Sequence, residues 1–331
     1  MNADEMTEPN RRGALPWLRA DGRRLVDEDG NEVILRGVAT IDIGSQEQLD
    51  GGVIPLIDRL TDKTDTAGNS IGWHPTVIRF PVYPVDSDVL SPIRYTPGST
   101  EYYDTLLRPL VDYATARGLY VIIDWHYIDT TTAHVESTAQ FWRDMAPRFA
   151  DDSNVLYELY NEPINDGDWA GELKGHMQSW YNIVREAAPR NVVLVGTPNW
   201  CQNVGLAALD PIDGTNVMYA AHMYPMHWAL PHLVEEIETA CRHQAVFMSE
   251  WGYEEGADEV VDGTVTSYGA PFKAFVTKLG VSWVAWVAHY KWFPAIFIDD
   301  QWQLSDGPGR MGVFTKDWLY EERNRHRPGE K

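Results

Sequence analysis

Eight short apolar runs recur along the chain, and they constrain its fold more than any other feature. They occupy residues 34–38, 76–80, 120–124, 155–159, 192–195, 217–221, 245–249 and 282–287. Each is rich in Val, Ile, Leu, Tyr or Trp and too short for a helix, which suits parallel strands buried on both faces. Amphipathic stripes fall between them. Leu106, Leu110, Tyr113 and Arg117 are spaced by three or four residues, with Leu107, Val111 and Ala114 broadening the stripe. Met177, Trp180, Val184 and Ala187 form a second stripe, and Leu230, Leu233, Ile237 and Cys241 a third. Strands alternating with such helices make βα units on a parallel sheet. Eight units favour a closed barrel over an open sheet, and no glycine-rich dinucleotide fingerprint follows any run. Ahead of the first run, Arg24-Leu25-Val26, a turn at Asp29-Gly30 and Glu32-Val33-Ile34 read as a hairpin able to close the barrel floor. The expected class is therefore α/β, a single (β/α)8 (TIM) barrel over residues 1–331, with a small N-terminal β-hairpin and a tail over about residues 1–17.

Catalytic groups of such barrels lie where the strands end. The second run ends in Arg79-Phe80-Pro81, the third in Asp124-Trp125-His126, and the fourth in Asn161-Glu162-Pro163. The sixth ends in His222-Met223-Tyr224 and the seventh in Ser249-Glu250-Trp251-Gly252, while the eighth carries Trp283 and Trp286. A lone Glu at a strand end is commonly a cap or an ion-pair partner. Two of them facing one central pit, among Arg, His, Asn and Tyr, fit glycoside hydrolysis instead. That reaction needs one carboxyl to give and take a proton and another to attack or to activate water. The two must differ in protonation, hence in surroundings. Arg79 is expected to keep Glu250 ionised, Tyr224 to donate it a hydrogen bond, His222 to orient Glu162, and Asn161 to meet a sugar 2-hydroxyl. The two carboxyls should lie about 5–5.5 Å apart, the retaining spacing.

Charge narrows the partner. Forty-nine Asp and Glu oppose 27 Lys and Arg, a net −22. Nucleic acid and an anionic membrane would need the opposite sign, whereas a neutral polysaccharide does not. Fourteen tryptophans suit stacking against the C–H faces of sugars. Trp286 and Trp200 are the first platform candidates, followed by Trp125, Trp228 and Trp292. The acidic excess, with basic residues mostly Arg, suggests solubility in high salt. The two cysteines, Cys201 and Cys241, are placed at opposite ends of the barrel and are expected to be free thiols. No stretch approaches the about 20 apolar residues of a membrane span, and the Arg11-Arg12 pair is followed by no apolar segment of a signal peptide.

On these motifs the chain resembles glycoside hydrolase family 5, a group of retaining (β/α)8 enzymes, from about residue 35 to residue 314. Arg79 matches the family's strand-two arginine and His126 its strand-three histidine. Asn161 and Glu162 match its Asn-Glu acid/base pair, His222 and Tyr224 its His-x-Tyr, Glu250 its nucleophile, and Trp286 its strand-eight platform. The segments 196–202, 216–219 and 249–252 resemble its bacterial endoglucanases, while the run from Val287 to Pro294 departs from the familiar polar loop. The resemblance implies a monomeric, extracellular enzyme that cleaves internal bonds of β-1,4-glucan, with β-mannan as the alternative polymer and no metal or cofactor. Three other readings are weighed against it, among them a phosphate-binding barrel, which would show a glycine-rich turn after the seventh or eighth run where Trp251-Gly252 does not suffice. A metal-dependent barrel would carry His-x-His after the first run, where Val38-Ala39-Thr40-Ile41-Asp42 stands. A non-catalytic carbohydrate-binding relative would not need both glutamates.

Overall fold

In a computed structural model, which describes residues 15–49, 51–62, 72–84, 91, 93–164 and 168–329, every apolar run forms a strand. The strands are β1 (Arg36–Ala39), β2 (Val77–Val82), β3 (Tyr120–Trp125) and β4 (Val155–Glu158). They continue as β5 (Val193–Val195), β6 (Val217–Met223), β7 (Val246–Trp251) and β8 (Ser282–Ala285). All neighbours are parallel and follow chain order into a closed barrel, with β8 returning to β1 through the pairs Trp283 with Arg36 and Val284 with Gly37.

A helix follows each strand. They are α1 (Val53–Thr61), α2 (Arg108–Ala116), α3 (Val135–Met145), α4 (Lys174–Ala187), α5 (Val204–Leu209), α6 (Pro231–His243), α7 (Ala270–Leu279) and α8 (Gly312–Glu321). The three stripes read from sequence are α2, α4 and α6. The six-residue α5 is too short to show a period. Helix α7 ends where Gly280 adopts a left-handed conformation (φ 67°), which glycine takes without a Cβ penalty and which turns the chain into β8.

Alternation along the strands sorts the core into two layers. Ile78, Phe80 and Val82 of β2, and Val121, Ile123 and Trp125 of β3, join the layer between barrel and helices. Val77, Ile122, Leu156, Leu194, Met218, Phe247 and Val284 fill the barrel interior. The same period of two sends Arg79, Asp124 and Glu158 inward at the upper ends of β2, β3 and β4.

The barrel floor is closed by a three-stranded antiparallel sheet, Arg19–Asp21, Arg24–Val26 and Glu32–Val33, so the expected hairpin carries one strand more. Leu25 and Val33 of this sheet, with Leu18 just before it, pack onto the interior layer. The expected tail begins to dock before residue 17. Tyr120 donates to the Pro16 carbonyl at 2.6 Å, and Arg190 lies over the Trp17 ring at 3.9 Å. Residues 1–14, with Arg11 and Arg12, lie outside the described residues. Both cysteines are free. Cys201 sits above β5, and Cys241 lines a small cavity at the floor with Arg24 and Val33, as the sequence reading placed them.

Candidate active site

The upper mouth of the barrel opens into a cleft of about 780 Å³ lined by Glu162, Glu250, His126, Tyr224, Trp286 and Trp200 among others. Arg79 stands beneath it, fully buried between β2, β3, β4 and β7. Its Nε donates to Glu158 Oε2 at 2.6 Å, its Nη1 to Glu250 Oε1 at 2.8 Å and its Nη2 to Asn161 Oδ1 at 2.6 Å. Asp124 Oδ2 lies 3.0 Å from the same Nη2 and 2.5 Å from His126 Nδ1. One guanidinium thus engages three carboxylates and an amide, and fixes Asn161 with its Nδ2 left without a protein partner.

Glu250 reaches the pit through an irregularity in β7. Ala221 pairs with Met248, but the next residue of β6, His222, pairs with Glu250, so Ser249 is an extra residue in the ladder. Such a bulge re-aims side chains. Ser249 and Glu250 both turn inward, while Trp251 returns to the outer layer. Tyr224 donates its hydroxyl to Glu250 Oε2 at 2.8 Å, so both carboxylate oxygens have donors. His222 bridges the other way. Its Nδ1 lies 2.6 Å from Glu162 Oε1 and its Nε2 3.0 Å from Ser249 Oγ.

These surroundings split the two glutamates. Burial raises the Glu162 carboxyl above its ordinary range, the charge of Glu250 adds to that, and the bond to His222 offsets only part. Burial would raise Glu250 as well. The positive charges of His222, Arg79 and His126, with the Tyr224 hydroxyl, outweigh it and hold that carboxyl low. Of the two, Glu162 is thus the more readily protonated and Glu250 the more readily ionised. Oxygens of the two carboxyls lie within 4.8 Å of each other. This approach of the two carboxyls is closer than the about 6.5–9.5 Å across which inverting enzymes place a water.

Among the described residues, Glu162, His222 and Glu250 are the one grouping close enough to chelate a metal. Their chemistry argues against a resident ion. Glu162 Oε1 and His222 Nδ1 already face each other, and Glu250 is held by a guanidinium and a phenol. A dication would have to displace these donors beside an existing positive charge.

A family model described as cellulase (glycosyl hydrolase family 5) matches residues 26–291. The chain belongs to glycosyl hydrolase family 5. An endoglucanase of Clostridium saccharobutylicum is 28% identical over 275 residues, covering 81% of this chain and 56% of the relative. Endoglucanase E-5 of Thermobifida fusca is 32% identical over 243 residues, covering 70% of this chain and 47% of the relative. The chain thus spans about half the length of these two relatives. Among solved structures, a β-glucanase of Saccharophagus degradans in complex with cellotetraose superposes with a TM-score of 0.80 at 24% identity, over 97% of this chain and 100% of that one. The catalytic domain of the Thermobifida fusca endoglucanase superposes with a TM-score of 0.74 at 25% identity, over 92% and 97%.

Within this family 5 site, Arg79, His126, Asn161, Glu162, His222, Tyr224, Glu250 and Trp286 converge at the barrel mouth. Trp286 stacks near-parallel to His126, with ring centroids 5.5 Å apart. Trp200 stands over the cleft on a turn in which Asn199, Trp200 and Cys201 all have φ between 54° and 57°. Cys201 pins that turn by donating its thiol to the Asn161 carbonyl at 3.1 Å. Trp292 also lines the cleft.

Trp125 and Trp228 do not belong to it. Trp125 shares the outward parity of Val121 and Ile123, stacks on Phe141 at 4.1 Å and donates its indole N–H to Thr138 at 3.1 Å, under α3. The expectation that it binds substrate is corrected by this: its neighbour His126 takes the inward position. Trp228 packs edge-on against Tyr268, Phe272 and Phe275. Asp124 and Glu158 went unassigned in the sequence reading. For Asp124 the signal was there, because it stands two residues before the inward His126; between Glu158 and Glu162 the alternation breaks, with Leu159 and Tyr160 both in the outer layer. Tyr83, whose ring lies 4.4 Å from that of His126, carried no such mark.

The split between the glutamates predicts a bell-shaped profile of hydrolysis against pH. Activity rises as Glu250 ionises, below the ordinary carboxylate range, and falls as Glu162 loses its proton, above it. Tyr224→Phe removes a donor from the ionised form of Glu250 and should move the rising limb to higher pH, with little change in the falling limb. A profile that shifts only on its alkaline side would reverse the roles assigned to the two glutamates.

Proposed function

We propose that the chain is a retaining endo-β-1,4-glucanase working by double displacement. The observation that carries the reading is the pair of close carboxyls with opposed proton affinities. In the first step ionised Glu250 attacks the anomeric carbon, while Glu162 hands its proton to the departing glycosidic oxygen. In the second step Glu162, now a carboxylate, takes a proton from water. That water attacks the same carbon, and the ester to Glu250 breaks. Arg79 and Tyr224 are fixed where the Glu250 charge must first be held and later regenerated, so they need no rearrangement during the reaction.

β-1,4-Glucan is favoured as the polymer because the relatives named above are endoglucanases and a β-glucanase of the same fold was solved with cellotetraose. Reducing ends released from carboxymethylcellulose, mixed-linkage glucan, glucomannan, mannan and xylan measure the choice. Turnover should be fastest on the glucans, and faster turnover of mannan would overturn it.

Azide separates the roles of the two glutamates. With Glu250→Ala, turnover should collapse on every substrate. Azide entering the vacated space should attack from the nucleophile's side and yield a glycosyl azide of inverted configuration. With Glu162→Ala, an aryl glycoside needing little protonation should still react in the first step, and the glycosyl-enzyme should accumulate. Azide should then release a product of retained configuration. The inverted azide from Glu162→Ala would refute the assignment.

We also place the enzyme outside the cell, in an environment of high salt. The net charge of −22 supports this, because self-repulsion on that scale is relieved by screening. The melting temperature should climb from low to molar sodium chloride, and a flat dependence would remove the salt-adapted reading.

A further inference from the structure

Among the described residues, two carboxylate oxygens are buried without a hydrogen-bond partner, and they belong to neighbouring side chains: Asp124 Oδ1 and Glu158 Oε1. An ionised oxygen held away from water with no donor is among the costliest groups a core can contain, so two together need a physical cause. Register brings them side by side. Asp124 and Glu158 pair across β3 and β4, strands about 4.8 Å apart, and both side chains are fully buried. Their other oxygens lie on one guanidinium, Glu158 Oε2 at 2.6 Å from Arg79 Nε and Asp124 Oδ2 at 3.0 Å from Arg79 Nη2.

The surrounding donors are committed elsewhere. The remaining Arg79 contacts go to Glu250 and Asn161. His126 Nδ1 already lies on Asp124 Oδ2, and His222 is held between Glu162 and Ser249. The Cys201 thiol, whose proton is held by burial and by the charges of Glu162 and Glu158, donates to the Asn161 carbonyl. The Tyr83 phenol, kept protonated by burial and by Glu250 and Asp124, belongs to a ring set against His126. Glu250 adds only negative charge. With all three carboxylates ionised, a single guanidinium would face three charges in a place closed to water. One proton between the two bare oxygens removes a charge and supplies both unpaired acceptors. Carboxyls set this close do not both ionise. Burial and the charge of Asp124 favour the proton on Glu158, against the pull of Arg79 and His222.

We propose that Glu158 and Asp124 share one proton, held between Glu158 Oε1 and Asp124 Oδ1 while the enzyme works. The pair then carries one negative charge rather than two. It touches no substrate and acts through Arg79, so its residues position charge rather than react. The proton count holds whatever the substrate; its use in catalysis rests on the double-displacement reading. Before the first step Arg79 keeps positive field for Glu250. In the glycosyl-enzyme Glu250 is an ester, and Arg79 then balances a single charge. A fully ionised pair would leave surplus negative charge at the stage where Glu162 must stand as a carboxylate.

Unfolding in urea across a series of pH values counts the proton. A carboxyl protonated in the native chain and ionised in the unfolded one makes stability fall as pH rises from the ordinary carboxylate range to its own raised range. In that window the ratio of the wild-type unfolding constant to that of Glu158→Gln should grow about tenfold per pH unit, because glutamine brings no proton to lose. Glu162 and His222 titrate in both chains and cancel in the ratio. Asp124→Asn removes the charge that holds the proton, so Glu158 ionises beside Arg79 and the same slope is lost. The double variant should lose no more than either single one. A ratio for Glu158→Gln that is flat with pH would overturn the inference. So would a slope retained in Asp124→Asn, or one lost twice over in the double variant. Neutron diffraction from wild-type crystals at neutral pH reads the same proton without any substitution. A deuteron should lie between Glu158 Oε1 and Asp124 Oδ1, and a water bridging two bare carboxylates would overturn the inference. Neither measurement uses substrate, so failure to turn over cellotetraose would sink the glucanase reading and leave the shared proton to be judged by these results alone.

Discussion

A buried guanidinium organises the active end of this barrel. Arg79 is fully enclosed, and each of its donor groups is committed: Nε to Glu158, Nη1 to Glu250, Nη2 to Asn161 and Asp124. Taking such a cation out of water costs several kcal/mol, and only well-placed partners repay it. Here the partners come from β3, β4 and β7 while Arg79 itself stands on β2, so the same interaction that solvates the charge fixes the relative positions of four strand ends. Removing one partner from a buried ion cluster of this kind costs about 3–5 kcal/mol, because the others are left uncompensated. Three carboxylates around one guanidinium are more negative charge than it can neutralise. Burial raises Glu158, and the charge of Asp124 lifts it further against the pull of Arg79. The positive field is thereby left to Glu250, the one member of the cluster that opens onto the cleft.

That arrangement explains why two glutamates of equal chemistry take different parts. Both are buried, and burial pushes both toward the protonated form. Glu250 escapes because the charges of His222, Arg79 and His126 outweigh its burial, with Arg79 and Tyr224 each holding one of its oxygens. Glu162 has only the hydrogen bond to His222, a partner it shares electrostatically with Glu250 and whose charge depends on its own proton, and it feels Glu250 as a neighbouring negative charge. Glu162 therefore gains protons as Glu250 keeps its charge. Neither state is intrinsic to a strand position. It follows from which cation reaches which strand.

Much of this was legible in the sequence, because barrel strands leave a simple mark. Each apolar run gave a strand within one or two residues of its expected place, and the polar residues ending the runs gave Arg79, His126, Glu162, His222, Tyr224 and Glu250. What escaped depended on parity and on register. Trp125 sits between two functional residues of one strand, and alternation alone should have turned it toward the helices. Asp124 and Glu158 look like ordinary strand residues until Arg79 is placed between them. The docking of Leu15, Pro16 and Trp17 depends on contacts with Ser153, Tyr120 and Arg190, far away in sequence. No local pattern encodes such contacts.

The bulge in β7 is the least legible feature and the one that completes the site. A strictly alternating β7 that turned Phe247 and Ser249 inward would send Glu250 outward among the helices. The extra residue at Ser249 lets two consecutive side chains face the pit. Glu250 then meets Arg79 and Tyr224, while the Ser249 hydroxyl stays within 3.0 Å of His222 Nε2. That second contact fixes the ring whose other nitrogen lies on Glu162 at 2.6 Å. A single irregularity in one strand therefore presents Glu250 and, through Ser249 and His222, steadies Glu162 on the opposite side of the barrel. The two carboxyls are set against each other by backbone register as much as by charge, so their spacing is as firm as the ladder between β6 and β7.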